Sequence, residues 1–446
     1  MDQIIVEGVR CFRNLQTVPL RPITLLVGEN SSGKSTFLAL TRLASQLCRG
    51  KEIVDFNEEP FLLGAYDQIA SQSGKSSYLT GFTIGAQIAA SSVKPTLLLQ
   101  NDDFITITGR FTKQEAQPKL TKLSLRAGKF FTEVKREYPN TSEVLLSTQT
   151  SVDQKQWEMK RICADESSGI DLELLDFFSI ESIEGRHTKR RSNRKIANLE
   201  ATTRELQLVR SLFRSLRNYK PPTPYAFAPV RSHPKRTYDP IKDVRSPEGT
   251  HVPMILARMS SSELNNWKHL RQIIASFGKA SGLFSDLEVR RIGRQESDPF
   301  QIRIKVASSA FNLMDVGYGV SQILPILVDV IRGNKGGTYL LQQPEVHLHP
   351  KAQAELGSFL GTLAKAEQKR FVIETHSDYL VDRVRMEVRN QRLSPNDVAL
   401  LYFERLNGHV EIRHLELDQA GNIINAPASY RQFFLTEEMR LLGFGE

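Results

Sequence analysis

The chain has 446 residues, 40% apolar and 24% charged, which is the balance of a globular protein with room for two or three domains and a sizeable core. Its net charge of +9 favours an anionic partner without requiring one. Cys11, Cys48 and Cys163 are too few and too far apart for a disulfide framework or a cysteine-rich zinc site, so a reducing, cytoplasmic setting is expected. The start MDQIIVEGVR lacks a secretory pattern, and the longest apolar run, ILPILVDVI at 323–331, is too short to span a bilayer and carries Asp329; no membrane partner is expected.

The first forty residues read as strand, loop, helix: IIVEGVRCF, VPL and ITLLVG alternate as strands do, and FLALTRLASQLC has helical spacing. The loop between them, GENSSGKS at 28–35, satisfies G-x-x-x-x-G-K-[ST] in full. Gly28 and Gly33 permit backbone angles that let the N–H groups of Asn30, Ser31, Ser32, Gly33, Lys34, Ser35 and Thr36 converge on one anion at a helix N-terminus. In such a loop the lysine, here Lys34, reaches the β- and γ-phosphates, and the serine, here Ser35, holds Mg²⁺ through its hydroxyl. A second SGKS, at 73–76, has Ile69 in the place of the first glycine and no strand before it, and reads as a polar loop.

Residues 79–110 and 119–149 hold strand-like runs such as LTGFTIGAQIAA, TLLLQ and FITITGRF, closing an N-terminal lobe at 1–150. From 151 the pattern degrades, and 151–222 reads as an inserted, partly exposed region. It contains RHTKRRSNRK at 186–195, then a helix, IANLEATTRELQLVRSLFRSLRNY, with Leu199, Leu206, Val209, Phe213 and Leu216 on one face. Pro221 and Pro222 stop that helix. The basic run can neutralise DNA or RNA phosphates, lacks aromatics on which bases would stack, and reads equally as a solvated loop. Arg231, His233, Lys235 and Arg236 form a second basic cluster.

Strands and helices resume near Tyr225 and alternate from 322 onward: SQILPILVDVIRG, TYLLQ, PKAQAELGSFLGTLAKAEQ, RFVIETHS, DYLVDRVRMEVRN, DVALLYFER and HVEIRHLEL. Such alternation implies a parallel sheet with helices on both faces and ligands beyond the strands' carboxyl ends. Residues 223–416 form a C-terminal lobe and 417–446 a tail. Three pieces in this half bear on chemistry. DVGYGVSQILP (315–325) is a glycine-rich turn opening a helix, TYLLQQPEVHLHP (338–350) a strand ending in two amides, and VIETHSD (372–378) a strand ending at a histidine.

In this order the pieces resemble the Walker A, signature, Walker B, D-loop and switch-histidine motifs of the ATP-binding-cassette class of P-loop ATPases. GENSSGKS, GYGVSQILP, PEVHLHP and ETHS are similar to the soluble heads of chromosome-maintenance and break-repair ATPases, and more closely to bacterial AAA_15/AAA_21, OLD-like ATPases. FAPVRSHPKRTY at 227–238 and LDQAGNIINAPASYRQFF at 417–434 extend the likeness, which is thin over 80–220. The resemblance implies an α/β P-loop NTPase fold: a mixed sheet with flanking helices, an antiparallel β subdomain and an inserted helical arm. It also implies ATP and Mg²⁺ as cofactors. Gly317, Gly319 and Ser321 then take the signature positions, with Tyr318 replacing a small residue. Gln342 stands at the magnesium carboxylate, Gln343 at the catalytic glutamate, His349 at a D-loop aspartate and His376 at the switch histidine. Arg10, Phe12 and Arg13 become candidates to line adenine, and Asp67 or Gln68 a Q-loop residue.

The class dimerises, one copy's signature turn closing over ATP on the other's Walker A. The implied partners are therefore a second copy, as a homodimer or higher homo-oligomer, and an effector such as a nuclease or toxin, in antiphage defence or DNA repair. Glutamine keeps glutamate's shape but not its charge or proton affinity. At 342 it weakens the hold on magnesium; at 343 it removes a general base, a loss of roughly 10²–10⁴ in rate. ATP binding and closure with slow or absent hydrolysis are expected. The amides stand open to three accounts: a native variant, a trapped form, or a native nucleotide sensor, with Glu345 as a displaced acid. Glu345, His347 and His349 form a rival, metal-binding reading, since alternate residues on an extended chain share a face, but no second cluster accompanies them. A nucleotide-locked scaffold and a transporter ATPase subunit are the alternative functions.

Overall fold

The computed structural model describes residues 1–49, 54–72, 78–92, 104–137, 144–152, 155–163, 219, 222–240, 244–295, 297–430, 436, 439–440 and 442. The second SGKS, the TLLLQ run, RHTKRRSNRK and the helix expected over 196–219 lie outside them, apart from Tyr219. The chain forms two compact units: Met1–Leu20, Ala39–Thr223 and Arg405–Glu411 in the first; Arg21–Leu38, Pro224–Glu404 and Ile412–Glu446 in the second.

The first unit is an antiparallel meander of eight strands, in the order Gln16–Pro19, Gln3–Glu7, Phe82–Ala89, Phe104–Gln114, Gln117–Ala127, Phe130–Glu137, Val144–Val152 and Lys155–Cys163. Alternation drives it: in FITITGRFTKQ, Ile105, Ile107, Gly109 and Phe111 are buried while Thr106, Thr108 and Arg110 between them are only partly covered. Phe82 stacks on Phe111 at 5.4 Å between centroids, and Phe56 packs edge-on against Phe111 at 5.2 Å, giving one face an aromatic core. The sheet continues past the expected boundary at 150, which falls inside the strand Val144–Val152. The last strand, KQWEMKRIC, lies wholly in the stretch read as an insertion and lacks a clean apolar alternation, although its backbone pairs with Val144–Val152.

The second unit holds a seven-stranded sheet in the order Tyr225–Phe227, Thr338–Gln342, Arg370–Glu374, Ile23–Gly28, Val398–Leu406, His409–Leu417 and Ile423–Ile424. Its first five strands are parallel. The lobe expected over 1–150 is therefore divided. ITLLVG leaves its sequence neighbours and pairs with Arg370–Glu374 on one side and Val398–Leu406 on the other. Ile23, Leu25 and Leu26 are all at most 1% exposed, as a parallel strand covered on both faces requires. The helices Val252–Ser262, Leu264–Ser281, Tyr318–Arg332, Pro350–Glu367 and Asp378–Arg389 contribute to the same apolar core, and Asp286–Arg291, Phe300–Val306 and Ser309–Asn312 form a small antiparallel sheet. Among the described residues no helix is long and apolar enough to cross a membrane.

Candidate functional site

Three neighbouring parallel strands end together: Thr338–Gln342, Arg370–Glu374 and Ile23–Gly28. The segments leaving their carboxyl ends carry the amide pair Gln342-Gln343, His376 and the P-loop, so one sheet edge gathers motifs far apart in sequence. The helix Lys34–Cys48 starts directly from the Walker A loop. Gly28 and Gly33 take φ of 136° and 92°, and Ser31 also has positive φ. A Cβ on Gly28 would meet Phe403 O at 2.8 Å, so both backbone angle and space exclude a side chain there. Lys34 is 3% exposed; its Nζ donates to Gly28 O at 3.0 Å and Glu29 O at 2.6 Å, folding the cation over its own loop. Ser32 and Thr36 are buried, whereas Asn30, Ser31 and Ser35 are exposed at the rim.

The Ser35 hydroxyl donates to Glu374 Oε2 at 2.7 Å. Glu374 lies opposite Gln342 in the ladder, and its carbonyl accepts the N–H of Gln343 at 2.8 Å. Gln342 and Gln343 are half-buried, and Gln343 takes φ 41°. Hence the two amides do stand at the end of the Walker B strand, but a carboxylate stands beside them on the next strand. Ser35, Glu374, phosphate oxygens and water make the hard-oxygen set that Mg²⁺ favours, and the loop's N–H groups and Lys34 suit a triphosphate; the residues fit both cofactors.

Glu345 is buried, and its Oε1 accepts the backbone N–H of His376 at 2.8 Å, fastening the switch-histidine turn to the Walker B turn. Burial pushes its carboxyl above the usual range, against that hydrogen bond and the charge of Arg231. Burial first, then the Lys34 charge, holds the His376 imidazole below its ordinary value. His349 accepts Lys351 N–H through Nδ1 and caps the helix Pro350–Glu367. The rival metal reading does not hold: no group of three His, Cys, Asp or Glu able to bind a metal occurs among the described residues. Its Glu345 is turned inward, and its His349 serves as a cap.

At the signature turn Gly317 is exposed, and a Cβ there would meet nothing within 4 Å. Gly319 is buried, its missing Cβ just 2.5 Å from His347 O. Ser321 is 5% exposed with its hydroxyl donating to Tyr318 O at 2.7 Å, so in this structure it serves its own helix. The segment FAPVRSHPKRTY braces the turn. Gln322 exchanges hydrogen bonds with the backbone of Arg231, His233 Nδ1 lies 3.3 Å from the Tyr318 hydroxyl, and Arg236 forms a two-pronged pair with Asp315 at 2.7 and 3.0 Å. Arg231 is 1% exposed; its Nη2 donates to Gln342 O at 3.4 Å, and burial pulls its pKa down to about 10. The second basic cluster is thus a brace: Arg231 is buried and Arg236 is paired.

Arg10 and Phe12 belong to the first unit. The Arg10 guanidinium donates to Gln68 O and Leu63 O at 3.1 and 3.0 Å, and Phe12 is fully buried, leaving no open ring face for adenine. Asp67 pairs with Lys113 at 2.6 Å, and Gln68 Oε1 accepts Ala65 N–H within its own turn. The sequence reading missed Glu374 and the bracing role of Arg231. Glu374 is visible in the sequence as the acid that closes VIE; only the strand register sets it beside Gln342.

Similar solved structures include an SMC head bound to the C-terminal winged-helix domain of ScpA, at 10% identity and TM-score 0.38, covering 94% of this chain and 98% of that one. A Pyrococcus furiosus Smc head with an extended coiled coil, bound to the C-terminal domain of ScpA, has 9% identity and TM-score 0.44, covering 98% and 99%. The SMC head domain from Thermotoga maritima has 12% identity and TM-score 0.36, covering 93% and 99%. No curated protein matches the chain. Residues 23–382, which hold the P-loop, the signature turn, the double-amide strand and the switch histidine, match the family model AAA_21, described as "AAA domain, putative AbiEii toxin, Type IV TA system", and the chain belongs to that family of ATPase domains.

Proposed function

We propose that the chain is an ATP-binding switch that closes head to head with a second copy and thereby controls a toxin, nuclease or nucleic-acid-directed partner in antiphage defence or DNA repair. The observation that carries this reading is one sheet edge bearing a complete Walker A cradle beside the switch-histidine turn, with a signature turn in the same unit whose Gly317 is open to approach. The family description, which names a toxin and a type IV toxin–antitoxin system, supports the effector part.

The chain's own groups have definable tasks. The N–H groups of 30–36 and the helix N-terminus hold an anion, and Lys34 exchanges loop carbonyls for phosphate oxygen. When bound, ATP with Mg²⁺ would supply the anionic γ-phosphate, which Lys34 and the loop N–H groups of one copy and the signature turn of the other would hold. Gly317 lets the partner's turn approach without a side chain between them. His376 offers a ring N–H to that end of the site. Gln343 can orient a water but cannot take its proton, so turnover is slow. Nucleotide bias of closed over open follows from differential binding: the signature turn gains an anion only when ATP is present.

A second reading, a scaffold whose nucleotide is structural, is favoured by the same Gln343. Equilibrium ATP binding combined with phosphate release over many turnovers separates the two. Binding with slow repeated turnover is expected. Binding without any turnover, persisting when Gln342→Glu and Gln343→Glu are combined, supports the scaffold. Absence of binding by the unaltered protein refutes both.

A further inference from the structure

We propose that Glu374 is the anionic magnesium ligand of this site, replacing the carboxylate missing at Gln342. The inference rests on the ATP reading above and names a metal-binding residue within it. Four observations carry it. The first is location: Glu374 ends the strand lying between the Gln342 strand and the P-loop strand, in register with Gln342 on one side and Leu26 on the other. Adjacent strands are about 4.8 Å apart, so the charge has moved one strand toward Walker A rather than vanished. The second is contact: its Oε2 accepts the Ser35 hydroxyl at 2.7 Å, the oxygen that P-loops use on magnesium.

The third is charge. Glu374 is 5% exposed, and no lysine, arginine or histidine among the described residues forms an ion pair with it. A buried carboxylate whose one side-chain partner is a neutral hydroxyl keeps an electrostatic deficit, and a cation at the Ser35 oxygen would offset it. The fourth is reach. The Glu374 backbone is fixed on both sides of its peptide by the ladder and by the bond from Gln343 N–H, so its side chain projects from a rigid strand end. Magnesium held by one carboxylate, one hydroxyl, phosphate oxygens and waters is an ordinary octahedral set. Gln342 then contributes at most a neutral amide oxygen.

The test is ATP affinity in EDTA and in excess Mg²⁺, with Mn²⁺ as a second, spectroscopically counted metal. The chains compared are the unaltered protein, Glu374→Gln, Glu374→Asp, and Glu374→Gln combined with Gln342→Asp. The unaltered protein should bind ATP more tightly with metal. Glu374→Gln should keep the EDTA affinity and lose Mn²⁺ affinity at saturating ATP by at least about tenfold, a typical lower bound for disturbing a metal's shell. Glu374→Asp should fall between the two, and it carries the test if the amide variant does not fold. The double variant, which returns the carboxylate to the neighbouring strand, should recover metal dependence. Undiminished metal dependence in Glu374→Gln, or equal losses with and without metal, overturns the assignment alone. No ATP binding by the unaltered protein in either buffer overturns the nucleotide reading beneath it as well.

Discussion

Two glycines of the signature turn, two positions apart, should respond differently to the same substitution. A Cβ on Gly319 would stand 2.5 Å from His347 O and 3.3 Å from Leu348 Cδ2, about 0.9 Å inside ordinary contact with a backbone carbonyl. His347 already takes φ 67°, so the carbonyl has little freedom to turn aside. Overpacking of this kind costs about 1–3 kcal/mol, and a clash with backbone belongs at the upper end. Alanine's better helix propensity returns about 1 kcal/mol. The net is about 2 kcal/mol, or a fall in melting temperature of about 4–8 °C for a unit of this size. Gly317 has φ −53° and nothing within 4 Å of a Cβ, so Gly317→Ala should cost under about 1 kcal/mol. If that open face meets a partner's nucleotide, Gly317→Ala nevertheless blocks ATP-dependent dimerisation. Differential scanning fluorimetry reads the first effect and light scattering the second. A Gly319→Ala protein that melts with the unaltered chain, or a Gly317→Ala protein that melts as low as Gly319→Ala, refutes the reasoning.

Gln343→Glu restores a proton acceptor at the Walker B end and should raise steady-state phosphate release by about 10²–10⁴, read by a coupled assay. His251→Leu strips the buried Asp329 carboxylate, both groups being 2% exposed and 3.0 Å apart, of its imidazole partner. The loss should be about 3–5 kcal/mol in urea titration, largely recovered by adding Asp329→Leu. His414 is held below its ordinary pKa by burial and by the Arg21 charge, against Glu416, and its buried Nε2 has no hydrogen bond among the described residues. The folded state therefore resists a proton that the unfolded chain accepts near 6.5, so stability falls as pH drops below that value. His414→Leu should flatten the decline in melting temperature between pH 7.5 and 5.5.

The parallel half of the fold was legible because its strands are short apolar runs and its helices carry strong apolar faces; TYLLQ ends where the sequence ends it, whereas the strand read as RFVIETHS stops at Glu374. The Walker A loop was legible because glycine spacing, lysine and serine are all local. Long-range pairing was not. Nothing in ITLLVG says that it lies between residues 370–374 and 398–406, so the division of the first 150 residues escaped notice. The outermost strand of the meander, Lys155–Cys163, was hidden because pairing needs only backbone groups, while pattern reading needs side-chain contrast. The same limit governed the site. Gln342 and Gln343 read as an acid deficit along one strand, whereas Glu374 belongs to the next strand and its place beside Gln342 emerges only from register. Arg231 read only as one member of a basic cluster, because burial, unlike composition, is a property of the folded chain.

The account turns on whether nucleotide joins two copies. Light scattering of the purified chain in Mg²⁺ with ATP, with ADP and with neither tests this directly. A doubling of mass with ATP, absent with ADP and absent in Gly317→Ala, is the expected result. An unchanged mass at ATP concentrations shown to saturate the P-loop would contradict it.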